Sequence, residues 1–190
     1  MYSLFIDTHD KNVVIILFKD GKIISSKNVE SKNRHSEITM PLIDEVIKGG
    51  KIDVTDLNSV IVVNGPGSFT GERIAVTIGK TIAFLLKIPV RVIDSLTILA
   101  LNVDDDIKNV AITDRNGAFV GSFDKNNEQL GEFSYLNKSN YQQYCENNKV
   151  YTDLDIDYEK VYDFVMKTKE LNPHEVKPLY VKGISVLNDK

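Results

Sequence analysis

The sequence predicts an α/β protein built on a mixed sheet. Three features carry that expectation: three β-rich runs at the start, a switch to helical periodicity at residue 35, and alternating helix and strand thereafter. The opening runs are Tyr2 to Asp7, Asn12 to Phe18 and Lys22 to Val29. They are separated by Thr8-His9-Asp10-Lys11 and Lys19-Asp20-Gly21, both of which read as tight turns. Strands joined so closely form an antiparallel meander. Val13-Val14-Ile15-Ile16-Leu17-Phe18 is apolar on both faces, so the meander belongs to a sheet covered on both sides.

From His35 to Lys48 the apolar residues Ile38, Leu42 and Val46 recur at i, i+4 and i+8, and Gly49-Gly50 follows as a stop, which describes an amphipathic helix. Pro41 removes one backbone hydrogen bond inside it and predicts a late start or a kink. Ser59 to Val63 reads as a buried strand that runs into Asn64-Gly65-Pro66-Gly67-Ser68-Phe69-Thr70-Gly71. The helix that follows, Thr70 to Lys87, bears two stripes: large Ile74, Ile78, Ile82 and Leu85, and small Ala75, Gly79 and Ala83. Pro89 to Ile93 is the next strand and Ser95 to Leu101 the next helix.

The acidic run Asp104-Asp105-Asp106 marks a boundary between a first unit, 1–103, and a smaller second unit, 104–190. In the second, Val110 to Thr113 and Phe119 to Phe123 suggest a hairpin around Asp114-Arg115-Asn116-Gly117. A helix is expected at Tyr158 to Leu171 and a short strand at Leu179 to Lys182.

Composition narrows the function. With 23 Lys and Arg against 27 Asp and Glu, the net charge of −4 argues against a protein that grips nucleic acid alone. Cys145 is the single cysteine, so no intramolecular disulfide forms, which fits a reducing, cytoplasmic setting. The apolar start meets Asp7, and no stretch approaches the ~18 apolar residues of a membrane span, so neither export nor membrane insertion is expected.

A glycine-rich turn between a buried strand and a helix exposes N–H groups at the positive end of the helix dipole, the physical basis of phosphate binding. Gly65 to Gly71 has that setting. Its spacing matches neither a Walker loop nor a dinucleotide loop, and a purely structural turn is the favoured reading, with phosphate binding as the alternative.

The string Asn64 to Ala75 is similar to the G-P-G-S-F-T-G-x-R-I-[GA] segment of the TsaB family. Leu4-Phe5-Ile6-Asp7-Thr8 resembles that family's first strand and I-D-T turn. His35-Ser36-Glu37 with Met40-Pro41-Leu42-Ile43 resembles its H-S-E…P-x-I helix, and Lys80-Thr81-Ile82-Ala83 and Ile88-Pro89-Val90 follow in the family order. The resemblance covers roughly the first hundred residues. Beyond them only Thr113 to Gly117 and Pro178 to Val181 match, and weakly. Glu72 departs from the family's apolar residue, and the second half is shorter than usual.

The resemblance implies an actin-like, Hsp70-like ATPase (ribonuclease H-like) fold in two lobes, the second reduced. It implies an accessory, non-catalytic subunit working with a TsaD-type transferase and a TsaE-type ATPase to place threonylcarbamoyl on the tRNA adenosine beside the anticodon, with tRNA met only through the complex. A homodimer through the same helices is the competing assembly. His9, His35 and His174 lack the i, i+4 spacing of a paired metal site, so no metal is expected, and no nucleophile with a base supports catalysis. The same histidine count speaks against a metal-peptidase reading. In an actin-like fold Asp7, with Gly65 and Gly67, would mark a degenerate ATP site; a turn-capping Asp7 and no cofactor are favoured. An ATP-binding enzyme of small-molecule kinase type is the rival function. For the partner interface the resemblance points to Met40, Ile43, Arg73, Ala75, Gly79 and Ala83, with the small stripe open to a foreign helix; the alternative is that both stripes are internal core. With the small stripe open, Gly79→Leu weakens partner binding and leaves the fold largely intact.

Overall fold

A computed structural model describes residues 1–181. Strands β1 (Tyr2–Asp7), β2 (Asn12–Lys19) and β3 (Lys22–Glu30) form the expected antiparallel meander. Helix α1 (His35–Gly49) crosses to β4 (Leu57–Val63), and α2 (Phe69–Leu86) carries the chain to β5 (Val90–Ile93). The sheet has the order β3-β2-β1-β4-β5, with β1, β4 and β5 parallel. Helix α1 runs from His35 through Pro41 without a late start.

Period-two alternation sends the central strands' side chains to both faces. Leu4, Ile6, Val13, Ile15, Val60 and Val62 meet α1 and α2, while Phe5, Val14, Ile16, Phe18, Ile61 and Val63 meet the opposite layer. That layer is α3 (Ser95–Leu101) together with α5 (Tyr158–Val165), a helix from much later in the chain. Burial of both faces is the reason the strands are continuously apolar.

The second sheet has the order β8-β7-β6-β9, built from β6 (Ile107–Thr113), β7 (Gly117–Asp124), β8 (Ser134–Asn137) and β9 (Val150–Tyr151). Leu96, Leu99 and Ala100 of α3 pack on Val110, Phe119 and Phe123, so α3 is shared by the two sheets. Helix α4 (Lys138–Asn147) covers the other face through Tyr141 and Tyr144.

The helix expected to reach Leu171 ends at Val165, because the chain beyond it is claimed by β5. Val90 and Leu171 exchange backbone hydrogen bonds of 3.2 and 2.8 Å, and the buried Arg91 guanidinium donates to the Thr168 carbonyl and to Glu170. The strand expected at Leu179 to Lys182 is irregular at Leu179 to Val181, where Leu179 N–H donates to the Asn64 carbonyl; Lys182 lies outside the described residues.

The small stripe on α2 requires a correction. Ala75 and Ala83 are fully buried, and a Cβ at Gly79 would lie 2.3 Å from Val62 Cγ2. These residues let α2 sit close on its own sheet and are closed to any foreign helix. The large stripe is only partly covered: Ile74, Ile78 and Ile82 are half-buried, Ile78 and Ile82 against the same core, and Leu85 is 70% exposed.

Gly79→Ala is therefore expected to lose about 1–3 kcal/mol by overpacking against Val62, and Gly79→Leu should fail to reach the native fold. Urea unfolding followed by circular dichroism checks both. An unchanged midpoint for Gly79→Ala would mean that Val62 moves aside freely.

Candidate functional site

The site forms where two turns meet. Thr8 Oγ donates to the Gly71 carbonyl at 2.5 Å and accepts from Ala75 N–H at 3.2 Å, while Ser68 N–H donates to the His9 carbonyl at 2.6 Å. Such contact leaves no room for side chains on the glycine turn. A Cβ at Gly71 would fall 1.8 Å from the Thr8 carbonyl oxygen, and one at Gly67 would fall 2.3 Å from that of His9. Ser68 caps α2 by accepting from Gly71 N–H at 3.2 Å.

Asp7 ends β1 and is buried, with one carboxylate oxygen accepting from both His9 N–H (3.0 Å) and His9 Nδ1 (2.6 Å). It caps its own turn, as the favoured reading expected. Burial disfavours a charged His9 ring, but the carboxylate of Asp7, with Asp10 and Glu72 farther off, prevails and holds the His9 pKa above the ordinary value. Glu72, in the first turn of α2, is 3% exposed; burial raises its pKa to about 7 against the opposing pull of the Gly67 N–H, His9 and Arg73.

Beside this cluster a cavity of about 570 Å³ opens between the two sheets. His9, Lys11, Ser68 and Glu72 line one wall, and Ile112 and Phe119 of the second sheet line the other. Its rim carries a stack in which the Arg73 guanidinium lies 3.6 Å from the Phe69 ring centroid and donates to Tyr180 Oη at 2.9 Å. His35, at the start of α1, reaches the Asp10 carbonyl at 2.7 Å.

These residues do not fit a nucleotide. Ser68 N–H is taken by the His9 carbonyl and Gly71 N–H by Ser68, and the Glu72 carboxylate lies against the turn at Gly65, so two of the amides that would cradle a phosphate already have acceptors. The buried carboxylates of Asp7 and Glu72 add repulsion at the same place. Gly65 and Gly67 are thus explained by packing. Among the described residues no group of three or more His, Cys, Asp or Glu is placed to hold a metal ion, and no helix is long and apolar enough to cross a membrane.

The six interface candidates separate. Met40 is 51% exposed and Arg73 sits in the exposed stack, whereas Ile43, Ala75, Gly79 and Ala83 are turned into the core. Sequence reasoning missed His9 as the partner of Asp7 and noted Glu72 only as a departure. A histidine two residues after a strand-ending aspartate, and an acid at an apolar position, were the signals available.

Glu72 sets a pH dependence. Its native pKa of about 7 exceeds the ordinary value of 4.5, so between these the native state holds more protons and stability falls as pH rises. The raised His9 acts in the same sense: its contribution is full below the ordinary 6.5 and is lost as pH rises through the native value. Glu72→Gln should therefore gain on the wild type between about pH 5 and pH 8, read as urea midpoints. A difference independent of pH would show that Glu72 does not titrate in this window.

Comparison with known proteins agrees with this architecture. The family described as TsaD, tRNA N6-adenosine threonylcarbamoyltransferase, matches residues 23–132, more than half of the chain. The tRNA threonylcarbamoyladenosine biosynthesis protein TsaB of Bacillus subtilis is 36% identical over 102 residues, which are 54% of this chain and 44% of that protein. Its namesake in Escherichia coli is 27% identical over 100 residues, 53% of this chain and 43% of that protein. The chain thus spans just under half the length of the curated relatives it matches. Among solved structures, YeaZ from Pseudomonas aeruginosa superposes with a TM-score of 0.78 over 94% of this chain and 99% of that one at 18% identity, which speaks to fold. A second Pseudomonas aeruginosa structure, of an uncharacterized protein similar to peptidase YeaZ, gives 0.80 over 95% and 99%, also at 18%. With its mixed sheet, its paired helices on one face and its motif string from Asn64 to Ala75, the chain has an actin-like, ribonuclease H-like fold and belongs to the TsaD family of proteins, in its TsaB group.

Proposed function

We propose that the chain is an accessory, non-catalytic subunit that works with a TsaD-type transferase and a TsaE-type ATPase in threonylcarbamoyl transfer to the tRNA adenosine beside the anticodon. Residues 1–103 form the lobe that carries the docking helices, and 104–190 form a reduced lobe. The observation that carries this reading is the outward face of α2. Its large stripe of Ile74, Ile78 and Ile82 is half-buried, and Leu85 at its end is 70% exposed. The small stripe meets the sheet, Ile78 and Ile82 pack beside it against the same core, and Phe84, 57% exposed, turns outward with Leu85. Such a surface suits a partner helix packed ridge into groove, and Met40 on α1 adds exposed apolar area.

Two further facts support the reading. The relatives with 36% and 27% identity are named for tRNA threonylcarbamoyladenosine biosynthesis. The glycine turn spends its Ser68 and Gly71 amides on the protein's own acceptors, which leaves the chain without the cradle that an ATP-using enzyme needs. Contact with tRNA then falls to the other subunits, in keeping with a net charge of −4.

Reconstitution with tRNA, a threonylcarbamoyl-adenylate synthase, TsaD and TsaE should give modified adenosine only when this chain is present. Leu85→Asp, at an exposed position, should keep the wild-type circular dichroism spectrum and weaken association with TsaD about tenfold or more, a loss of at least ~1.4 kcal/mol. Modification that proceeds equally without the chain would overturn the proposal.

A further inference from the structure

An acid in the first turn of a helix ordinarily points to solvent and gains a fraction of a kcal/mol from the dipole. Glu72 instead folds back and is 3% exposed. The turn is shaped around it. A Cβ at Gly65, where φ is +104°, would lie 2.5 Å from both Cδ and Oε1 of Glu72, and the nearby Gly67 N–H pulls toward the charged form of its carboxylate. No residue larger than glycine at position 65 would leave space for that carboxylate. His9 attracts the same group from the β1–β2 turn, and its own ring is held by Asp7 at 2.6 Å.

A buried carboxylate is costly unless donors and positive charge surround it. Here the turn, the start of a helix and an imidazole favour the charged form without outweighing burial, and they are the groups a phosphate would seek. We propose that Glu72 is the resident anion of the glycine turn: its carboxylate occupies the place a phosphate would take, holds Gly67 N–H, and closes this cleft to nucleotides and other phosphorylated ligands. The charged groups that act on it are His9 from the β1–β2 turn and Arg73 from α2 itself, while Asp7 and Asp10 act on His9 in turn. Asp10 on the cavity wall repels an incoming phosphate and Lys11 beside it attracts one, so the exclusion rests on occupancy. This assignment is independent of any partner protein.

The experiment uses the full chain with inorganic phosphate as probe, compared with chloride at equal ionic strength. In the wild type, the amide signals of Gly67 and Ser68 in 15N-resolved spectra should not move with phosphate. In Glu72→Ala they should shift to saturation, with a rise in melting temperature that chloride does not produce. A wild type that responds like the variant, or a folded Glu72→Ala that responds no more than the wild type, would overturn the assignment. Should Glu72→Ala fail to fold, a pH titration of the wild-type Gly67 amide decides. It should move as the carboxylate ionises and lose that component in Glu72→Gln. A Gly67 amide indifferent to pH, or one titrating identically in Glu72→Gln, would count against the idea.

Discussion

The close seating of the β1–β2 turn on the glycine turn is the contact on which the first half of the chain depends. Thr8 bridges the two, accepting from Ala75 N–H and donating to the Gly71 carbonyl, and the His9 carbonyl receives Ser68 N–H. Through these bonds the end of β1 fixes where α2 begins, and α2 can settle on β4 only because Ala75, Gly79 and Ala83 are small. Widening either approach by one methyl group would disturb the packing of helix on sheet. Close-packed interiors transmit such changes because they contain few voids to absorb them.

The same seating explains how a turn of phosphate-binding appearance has its Ser68 and Gly71 amides already bonded within the protein. Its donors satisfy a neighbouring carbonyl and a capping serine. The buried acids Asp7 and Glu72 stand beside the cavity, while Phe84 and Leu85 stand exposed at the far end of α2. The cleft and the docking surface proposed on α2 are therefore made by different residues.

Much of the fold was legible because the central strands are apolar at consecutive positions and α1, α2 and α3 carry clear periodic stripes with stop or cap residues. The helix after Tyr158 was read too long, since local propensity says nothing of the Val90–Leu171 bridge or of the demand of Arg91 for the Thr168 carbonyl. The small stripe of α2 was read as free for a partner, whereas it meets the sheet together with Ile78 and Ile82. Two stripes at equal spacing cannot reveal which faces the sheet, and the deciding quantity, the 2.3 Å from a Cβ at Gly79 to Val62, belongs to tertiary structure. At the candidate site the motif drew attention to Gly65 and Gly67. The partnership of Glu72 with a turn sixty residues earlier leaves no local trace.

Helix α5 has a consequence for how the chain is made. Val161, Tyr162 and Val165 complete the layer over Phe5, Val14, Ile16 and Phe18, yet they leave the ribosome after almost all of the described chain has emerged. Until then the N-terminal sheet shows one face of large apolar side chains to its surroundings, a surface that invites association with chaperones or with other nascent chains. A truncation just before Tyr158 would make that transient state permanent, so the sparse and polar second half earns its length by finishing the first.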